Sequence, residues 1–202
     1  MKEFWNSRYS EQDFAYGKEP NQFVKDQLGK IPPGKALFPA EGEGRNAVYA
    51  ATLGWEVLAF DQSEAGRDKA LQLAQEKGVS INYQVCDLNE FQEKLESFDA
   101  LILVYAHFPA AKRKEFHQKL LKYLKPGGWI ILEGFSKAHA QFNSVNEKAG
   151  GPKDPAMLFS RDELMDDFAD VANLSIEEDI VFLEEGLYHV GDSAVIRLIG
   201  KK

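Results

Sequence analysis

The chain has 202 residues, 44% of them hydrophobic, enough to bury a three-layer α/β core without dividing in two. A formal net charge of -8 and a pI near 5.1 make it a poor general ligand for phosphate backbones, so duplex DNA and bulk RNA are not expected substrates. The start, Met1-Lys2-Glu3-Phe4-Trp5-Asn6, has no apolar signal region and no uninterrupted run of about 18 apolar residues occurs, so neither a membrane segment nor export is expected and the cytoplasm is the expected location.

In chain order, the first feature is aromatic. Phe4, Trp5, Arg8 and Tyr9 fall on one helical stripe, followed by Asp13-Phe14-Ala15-Tyr16-Gly17. Residues 1–34 thus read as a lead-in segment that either packs a helix onto the body or forms an apolar cover over a site that must exclude water. Strands are expected at Lys35–Phe38, Glu56–Phe60, Ile81–Val85, Ala100–Tyr105 and Trp129–Glu133, each a short apolar run bounded by turn residues. Helices are expected between them at Arg45–Leu53, Glu64–Lys77 with Gly78 as its stop, and Ala111–Leu124 with Pro126-Gly127-Gly128 behind it. This alternation predicts a doubly wound, mostly parallel sheet in a single domain. After Glu133 the rhythm changes to a loop over 135–155, a helix at Arg161–Phe168, and two extended segments, Ser175–Leu183 and Ser193–Ile199. Joined through Glu184-Glu185-Gly186, these read as an antiparallel hairpin at one sheet edge. The single cysteine, Cys86, fits a small buried residue at a strand end.

The chemistry concentrates where the first strand runs into Ala40-Glu41-Gly42-Glu43-Gly44-Arg45-Asn46-Ala47. A strand, a glycine loop and a helix, with Asp61 closing the next strand about twenty residues on, is the layout of a nucleoside-binding α/β unit. Gly42-x-Gly44-x-x-Ala47 also satisfies the dinucleotide fingerprint. Glu41 and Glu43, offset only by Arg45, would oppose a pyrophosphate, so the loop suits a cationic ligand such as S-adenosylmethionine better than NAD. The end of the fourth strand, Tyr105-Ala106-His107-Phe108-Pro109, is aimed at the cleft of such a fold. Tyr105 and His107 are therefore the catalytic candidates: His107 could position an acceptor or take its proton near neutral pH, or be a structural hydrogen-bonder. Of the other histidines, His117 reads as a surface residue, His139 could reach the cleft, and His189 lies between the last two extended segments. The Lys112-Arg113-Lys114 run reads as a solvated helix face, and no metal site is expected.

Trp5-x-x-Arg8-Tyr9, Tyr16-Gly17-x-Glu19-Pro20-Asn21, Glu41-Gly42-Glu43-Gly44-Arg45-Asn46-Ala47, Asp61-Gln62-Ser63, Leu124-Lys125-Pro126-Gly127-Gly128 and Gly150-Gly151-Pro152-Lys153 occur in an order that resembles the class I S-adenosylmethionine-dependent methyltransferases, in the branch similar to tellurite-resistance and thiopurine methyltransferases. The resemblance implies a Rossmann-like, seven-stranded sheet with its last strand antiparallel, and the cofactor across the carboxyl ends of strands one to four. It assigns the backbone at Ala40, Gly42 and Gly44 to the methionine part of the cofactor, Asp61, followed by Gln62, to the ribose, and Asp87 with Leu88 to the adenine. Tyr16 would contact the cofactor, and Trp5 and Arg8 would shape the lid. Asp61 could instead be a helix cap and Asp87 a turn residue. One departure stands out: Phe38-Pro39 occupies the strand end where many members carry an acid that helps hold the cofactor's amino group. Glu41 is the nearest replacement, or else a solvated loop residue.

Methyl transfer needs no covalent catalyst, because a sulfonium is already an activated electrophile. The expected activity is therefore methyl transfer from S-adenosylmethionine to a small-molecule sulfur, oxygen or metalloid acceptor, leaving S-adenosylhomocysteine, with neither nucleic acid nor membrane as partner and no oligomeric state assigned. A cofactor-binding regulatory protein without catalysis and, behind it, an NAD-dependent oxidoreductase are the alternatives.

Overall fold

The computed structural model describes residues 2–202. Its sheet has seven strands in the order β3-β2-β1-β4-β5-β7-β6. The first five are β1 (Lys35–Pro39), β2 (Glu56–Asp61), β3 (Asn82–Val85), β4 (Phe98–Val104) and β5 (Leu124–Phe135), each parallel to its neighbours. β7 (His189–Lys201) runs antiparallel to both β5 and the edge strand β6 (Ala172–Glu185). The strand order reverses between β1 and β4, which opens a crevice at their carboxyl ends.

Alternation along each strand sorts the core into two layers. Ala36, Phe38, Val57, Ala59, Ala100 and Ile102 face α2 (Gln22–Leu28) and α3 (Arg45–Thr52). Leu37, Leu58, Phe60, Leu101 and Leu103 face α5 (Ala110–Leu121) and α7 (Arg161–Asp167), the short α6 (Ala140–Asn143) lying between them in the chain. Helix α4 (Glu64–Glu76) starts from Ser63, whose side chain accepts from Gly66 N and caps it. Gly44 (φ 82) lets α3 pack against α4, since a Cβ there would overlap Ala70.

Two expectations change. The hairpin strands are longer than the apolar runs, and its turn lies at Gly186 (φ 63), Leu187 and Tyr188, two residues beyond the expected Glu184-Glu185-Gly186. The fifth strand begins at Leu124 because Leu124 pairs with Phe98 ahead of a register shift, which lets Pro126 and Gly127 lie inside a strand. Helix α2, which the sequence does not announce by charge or length, starts at Asn21, whose side chain accepts from Val24 N at 3.1 Å. No helix among the described residues is long and apolar enough to cross a membrane.

His117 and Arg113 are not surface residues. They lie one turn apart on the face of α5 that meets α7, with Phe116, Leu120 and Leu121, so packing buries them. Asp167, itself buried, receives Arg113 Nε at 2.7 Å and His117 Nδ1 at 2.8 Å. Only Lys112 and Lys114 of that basic run remain exposed, each paired with a surface carboxylate. Burial keeps His117 neutral by lowering its pKa, against the pull of Asp167.

Because Asp167 satisfies two buried groups at once, Asp167→Ala is expected to lower stability by about 3 kcal/mol, the lower part of the range for breaking a buried pair since Glu163 still reaches Arg113. Urea denaturation at neutral pH checks it, and a loss below about 1 kcal/mol, the scale of an exposed pair, would show that the cluster behaves as one.

Candidate active site

The loop leaving β1 is built from left-handed backbone: Ala40 (φ 52), Gly42 (φ 61) and Gly44 (φ 82). It lies at the carboxyl ends of β1 and β2, where Glu41 N donates to Phe60 O at 3.2 Å and Gly42 N to the carboxylate of Asp61, also at 3.2 Å. The other oxygen of Asp61 accepts from Ser63 N at 2.9 Å. Asp61 thus joins the first and second strand ends, with Gln62 half-buried beside it. Glu41 turns inward: its Oε1 accepts from Asn46 N and Ala47 N at 2.9 and 2.8 Å and so caps α3. It is not a solvated loop residue.

Charge explains what this loop can hold. Burial raises the pKa of Glu41 to about 7, against the hydrogen bonds from Ala47 and Asn46, and that of Asp61 to about 6, against those from Ser63, Gly42 and Gln62. Neither carboxylate forms an ion pair among the described residues. The cations nearest in sequence are committed elsewhere: Arg45 to Glu185 at 2.8 Å and Lys69 to Glu43 at 2.8 Å. Two carboxylates without counter-ions disfavour a pyrophosphate and favour a cation. A carboxylate has about four acceptor positions, so Asp61 keeps capacity for hydroxyl donors beyond its backbone partners.

The N-terminal segment lies on top of this loop. Tyr9, at the end of α1 (Lys2–Tyr9), is buried against Gly42, where a Cβ would come within 2.5 Å of its hydroxyl oxygen. The absent side chain thus makes room for a protein ring over the loop. Trp5 stacks on Tyr9, and Asn6 Oδ1 accepts from Ser63 Oγ at 2.6 Å. Tyr83 OH of β3 donates to Gly42 O at 2.6 Å. Glu43 anchors the following turn by accepting from Ala15 N at 2.8 Å. Tyr16 is half-buried, receives Arg8 Nη1 at 3.4 Å, and packs on His189 with 4.4 Å between centroids, while Arg8 covers the Tyr188 ring.

The end of β4 supplies a polar cluster. Tyr105 (φ 50) donates to Glu133 Oε1 at 3.0 Å and stacks on Phe135. Glu133 also receives Asn21 Nδ2 at 2.6 Å and Arg197 Nε at 2.6 Å, so the strand ends, the cover and the hairpin meet at one carboxylate. Burial raises the Tyr105 pKa well above the ordinary phenol value, and Glu133 reinforces it, so Tyr105 acts as a hydrogen-bonding neutral phenol.

His107 does not fit a base. Its Nδ1 faces Met157 O at 2.8 Å and its Nε2 accepts from Phe135 N at 3.0 Å, leaving neither nitrogen free for an acceptor. Burial drives its pKa to about 3, so the imidazole is neutral and serves to pin the loop after β5. His139 is fully buried, with Nε2 toward Gly150 O and Nδ1 accepting from Ala194 N. Asp87 is exposed and closes a turn by accepting from Asn89 N at 2.8 Å, while Leu88 is buried in the core. The residues that the sequence did not single out are Glu133, Glu185 and Tyr83, and Asn21 entered only as the end of a motif, with no role assigned. Their only signal was polarity at strand ends or in the segment before β1.

Residues 39–128 match the family described as "Methyltransferase domain". Over 117 residues, 55% of this chain and 44% of the relative, the sequence is 37% identical to tRNA 5-carboxymethoxyuridine methyltransferase of Escherichia coli strain K12. Over 130 residues, 62% of this chain and 54% of the relative, it is 28% identical to probable thiol methyltransferase 2 of Arabidopsis thaliana. The chain spans about half the length of these curated relatives. A solved structure from work on the conversion of a disulfide bond into a thioacetal group during echinomycin biosynthesis has the same fold, with a TM-score of 0.80 at 20% identity over 100% of this chain and 91% of that one.

The raised pKa of Glu41 means that its ionisation weakens the ligand-free fold, a stabilisation present below the ordinary value of 4.5 and lost as pH rises through about 7. Glu41→Gln keeps an oxygen to cap α3 without the charge. Its stability relative to the wild type is expected to grow on the order of 2 kcal/mol between pH 5 and pH 8, and subtraction cancels the histidines. Urea denaturation of both proteins across that range checks it; a constant difference would show Glu41 uncharged throughout or already compensated.

Proposed function

We propose that the chain is a class I S-adenosylmethionine-dependent methyltransferase, as the match of residues 39–128 to a methyltransferase domain supports, and that it transfers the methyl group of S-adenosylmethionine to a small protic acceptor, a thiol first, and releases S-adenosylhomocysteine. The observation that carries this reading is the pair of counter-ion-free carboxylates, Glu41 and Asp61, at the carboxyl ends of β1 and β2 beneath the Tyr9 cover. Asp61 takes the ribose hydroxyls, and Glu41 supplies the negative charge for the ammonium that the Phe38-Pro39 strand end lacks. The backbone of Ala40, Gly42 and Gly44 lines the methionine part, Gln62 the sugar edge, and Tyr16 closes the cover.

The bound cofactor supplies an activated methyl carbon. The chain contributes alignment and water exclusion: the aromatic cover shields the loop, and the Tyr105–Glu133–Asn21 contacts fix the rim where an acceptor enters. A small acceptor is favoured by the net charge of -8 and by the closed N-terminal segment, and a sulfur nucleophile by the likeness to a thiol methyltransferase. The 37% identity with a tRNA methyltransferase supports a second reading, a tRNA acceptor, against that same charge.

Asp61→Ala is expected to weaken S-adenosylhomocysteine by roughly 1.5 to 3 kcal/mol, the range for hydrogen bonds to a charged group, measured by titration calorimetry. An unchanged affinity would reduce Asp61 to a link between the strand ends and remove this cofactor site. Transfer of labelled methyl from S-adenosylmethionine to hydrosulfide, alkyl thiols, tellurite and total tRNA identifies the acceptor; label in tRNA alone would replace the small-molecule reading.

A further inference from the structure

With His107 occupied at both nitrogens, the acceptor side still contains one imidazole with an open nitrogen. His189 opens β7 and is buried, 4% exposed. Its Nδ1 faces Glu185 Oε2 at 3.2 Å, and the same oxygen receives Arg45 Nη2 at 2.8 Å. Its Nε2 has no hydrogen-bond partner among the described residues. The ring stands between Tyr16 of the cover and Tyr105 at the end of β4, with centroids 4.4 and 4.5 Å away. Gly150 (φ 73) packs its backbone against this edge of the ring: a Cβ there would overlap Tyr188 O and lie 2.5 Å from Cδ2 and 3.2 Å from Nε2, so a side chain at this position would crowd the unpartnered nitrogen.

We propose that His189, oriented by Glu185, is the base that removes the proton of the methyl acceptor. The proposal rests on the methyltransferase reading above. Glu185, with Nδ1–H pointed at it, fixes the tautomer in which Nε2 carries the lone pair, the carboxylate–imidazole arrangement that general-base chemistry uses. In the step, the acceptor's proton moves to His189 Nε2 as the acceptor atom bonds to the methyl carbon. The bond from that carbon to the sulfonium breaks, and its electron pair goes to sulfur, giving a neutral thioether. Charge balances, because the positive charge that leaves sulfur appears as the imidazolium.

The groups around the ring suit this cycle. Glu185 on β6 favours the imidazolium, while Arg45 on α3 and His139 after β5 oppose it; Tyr16 and Tyr105, whose pKa values burial raises, face it as neutral phenols, and His107 lies behind Phe135. Burial adds to Arg45 in keeping the resting ring uncharged, so the base is available at neutral pH.

Two thiols test the idea. The thiol of 2-mercaptoethanol is mostly protonated at pH 7, as ordinary alkyl thiols are, and needs a base, whereas 4-nitrothiophenol is already ionised and does not. At pH 7, His189→Gln is expected to lower methylation of 2-mercaptoethanol roughly 100-fold and that of 4-nitrothiophenol by less than about threefold, and to make the alkyl-thiol rate rise with pH toward the thiol's own ionisation. Equal losses on both thiols would make His189 structural, and no loss on either would also overturn the proposal. If the wild type methylates neither thiol, the thiol reading fails by itself. The proposal is then decided by nitrogen-15 spectra of the histidine-labelled wild type with S-adenosylhomocysteine, which also serve if the variant misfolds. A neutral His189 with its proton on Nδ1 at pH 7 is required, and a proton on Nε2 or a charged ring would overturn it.

Discussion

The ion pair between Arg45 and Glu185 joins parts of the chain that have no other reason to meet. Arg45 opens the helix after the glycine loop and Glu185 closes β6, 140 residues later, yet their nitrogen and oxygen are 2.8 Å apart with both side chains largely buried. Arg45 also donates to Glu19 O, and Glu185 also faces His189 and Asn21, so cover, loop helix and hairpin are registered against one pair of charges. Such a pair adds little net stability, because taking both charges out of water costs about what their attraction returns. Its contribution is geometrical. Proximity to Arg45 and hydrogen bonds from it and His189 outweigh burial and hold Glu185 ionised, with a pKa of about 2, so the registration persists across the neutral range.

The opposite condition holds a few residues away. Glu41 and Asp61 sit at the same crevice without counter-ions, and burial rather than pairing sets their protonation. A site that raises carboxylate pKa values toward neutrality while a paired carboxylate nearby is held ionised has divided its acids by environment: Glu185 is fixed by its partners, and Glu41 and Asp61 are left without a paired charge. The aromatic cover strengthens this division by removing water, which makes each uncompensated charge more costly and each matched one more effective.

The four histidines show how little a residue type says about its task. His107, at the position with the most obvious catalytic address, is spent on two backbone groups. His117, in a helix rich in Lys and Glu, is buried by its place on the face toward α7. His139 ties the loop after β5 to β7, and His189, which no local pattern marks, stands at the strand ends with Nε2 unpartnered, whereas the unpartnered Nε2 of His117 is sealed between α5 and α7. Each outcome follows from which strand end or helix face the fold presents to its neighbours, information that spacing along one segment does not contain.

Strand and helix alternation, the glycine loop and the closing Asp61 were legible in the chain because they depend on local physics: apolar period, caps, and backbone angles that only glycine adopts readily. Those features determine the doubly wound sheet, the crevice at its carboxyl ends and the preference for a cationic nucleoside over a pyrophosphate. The partners of Glu41, Glu43, Asn21, Glu133 and Glu185 were not legible, because each is met across a sheet or from the opposite end of the chain. A carboxylate in a glycine loop reads the same whether it faces solvent, caps a helix or binds a ligand. Only the tertiary structure decides, since burial and the direction of neighbouring N–H groups are set by packing between segments, not by order within one.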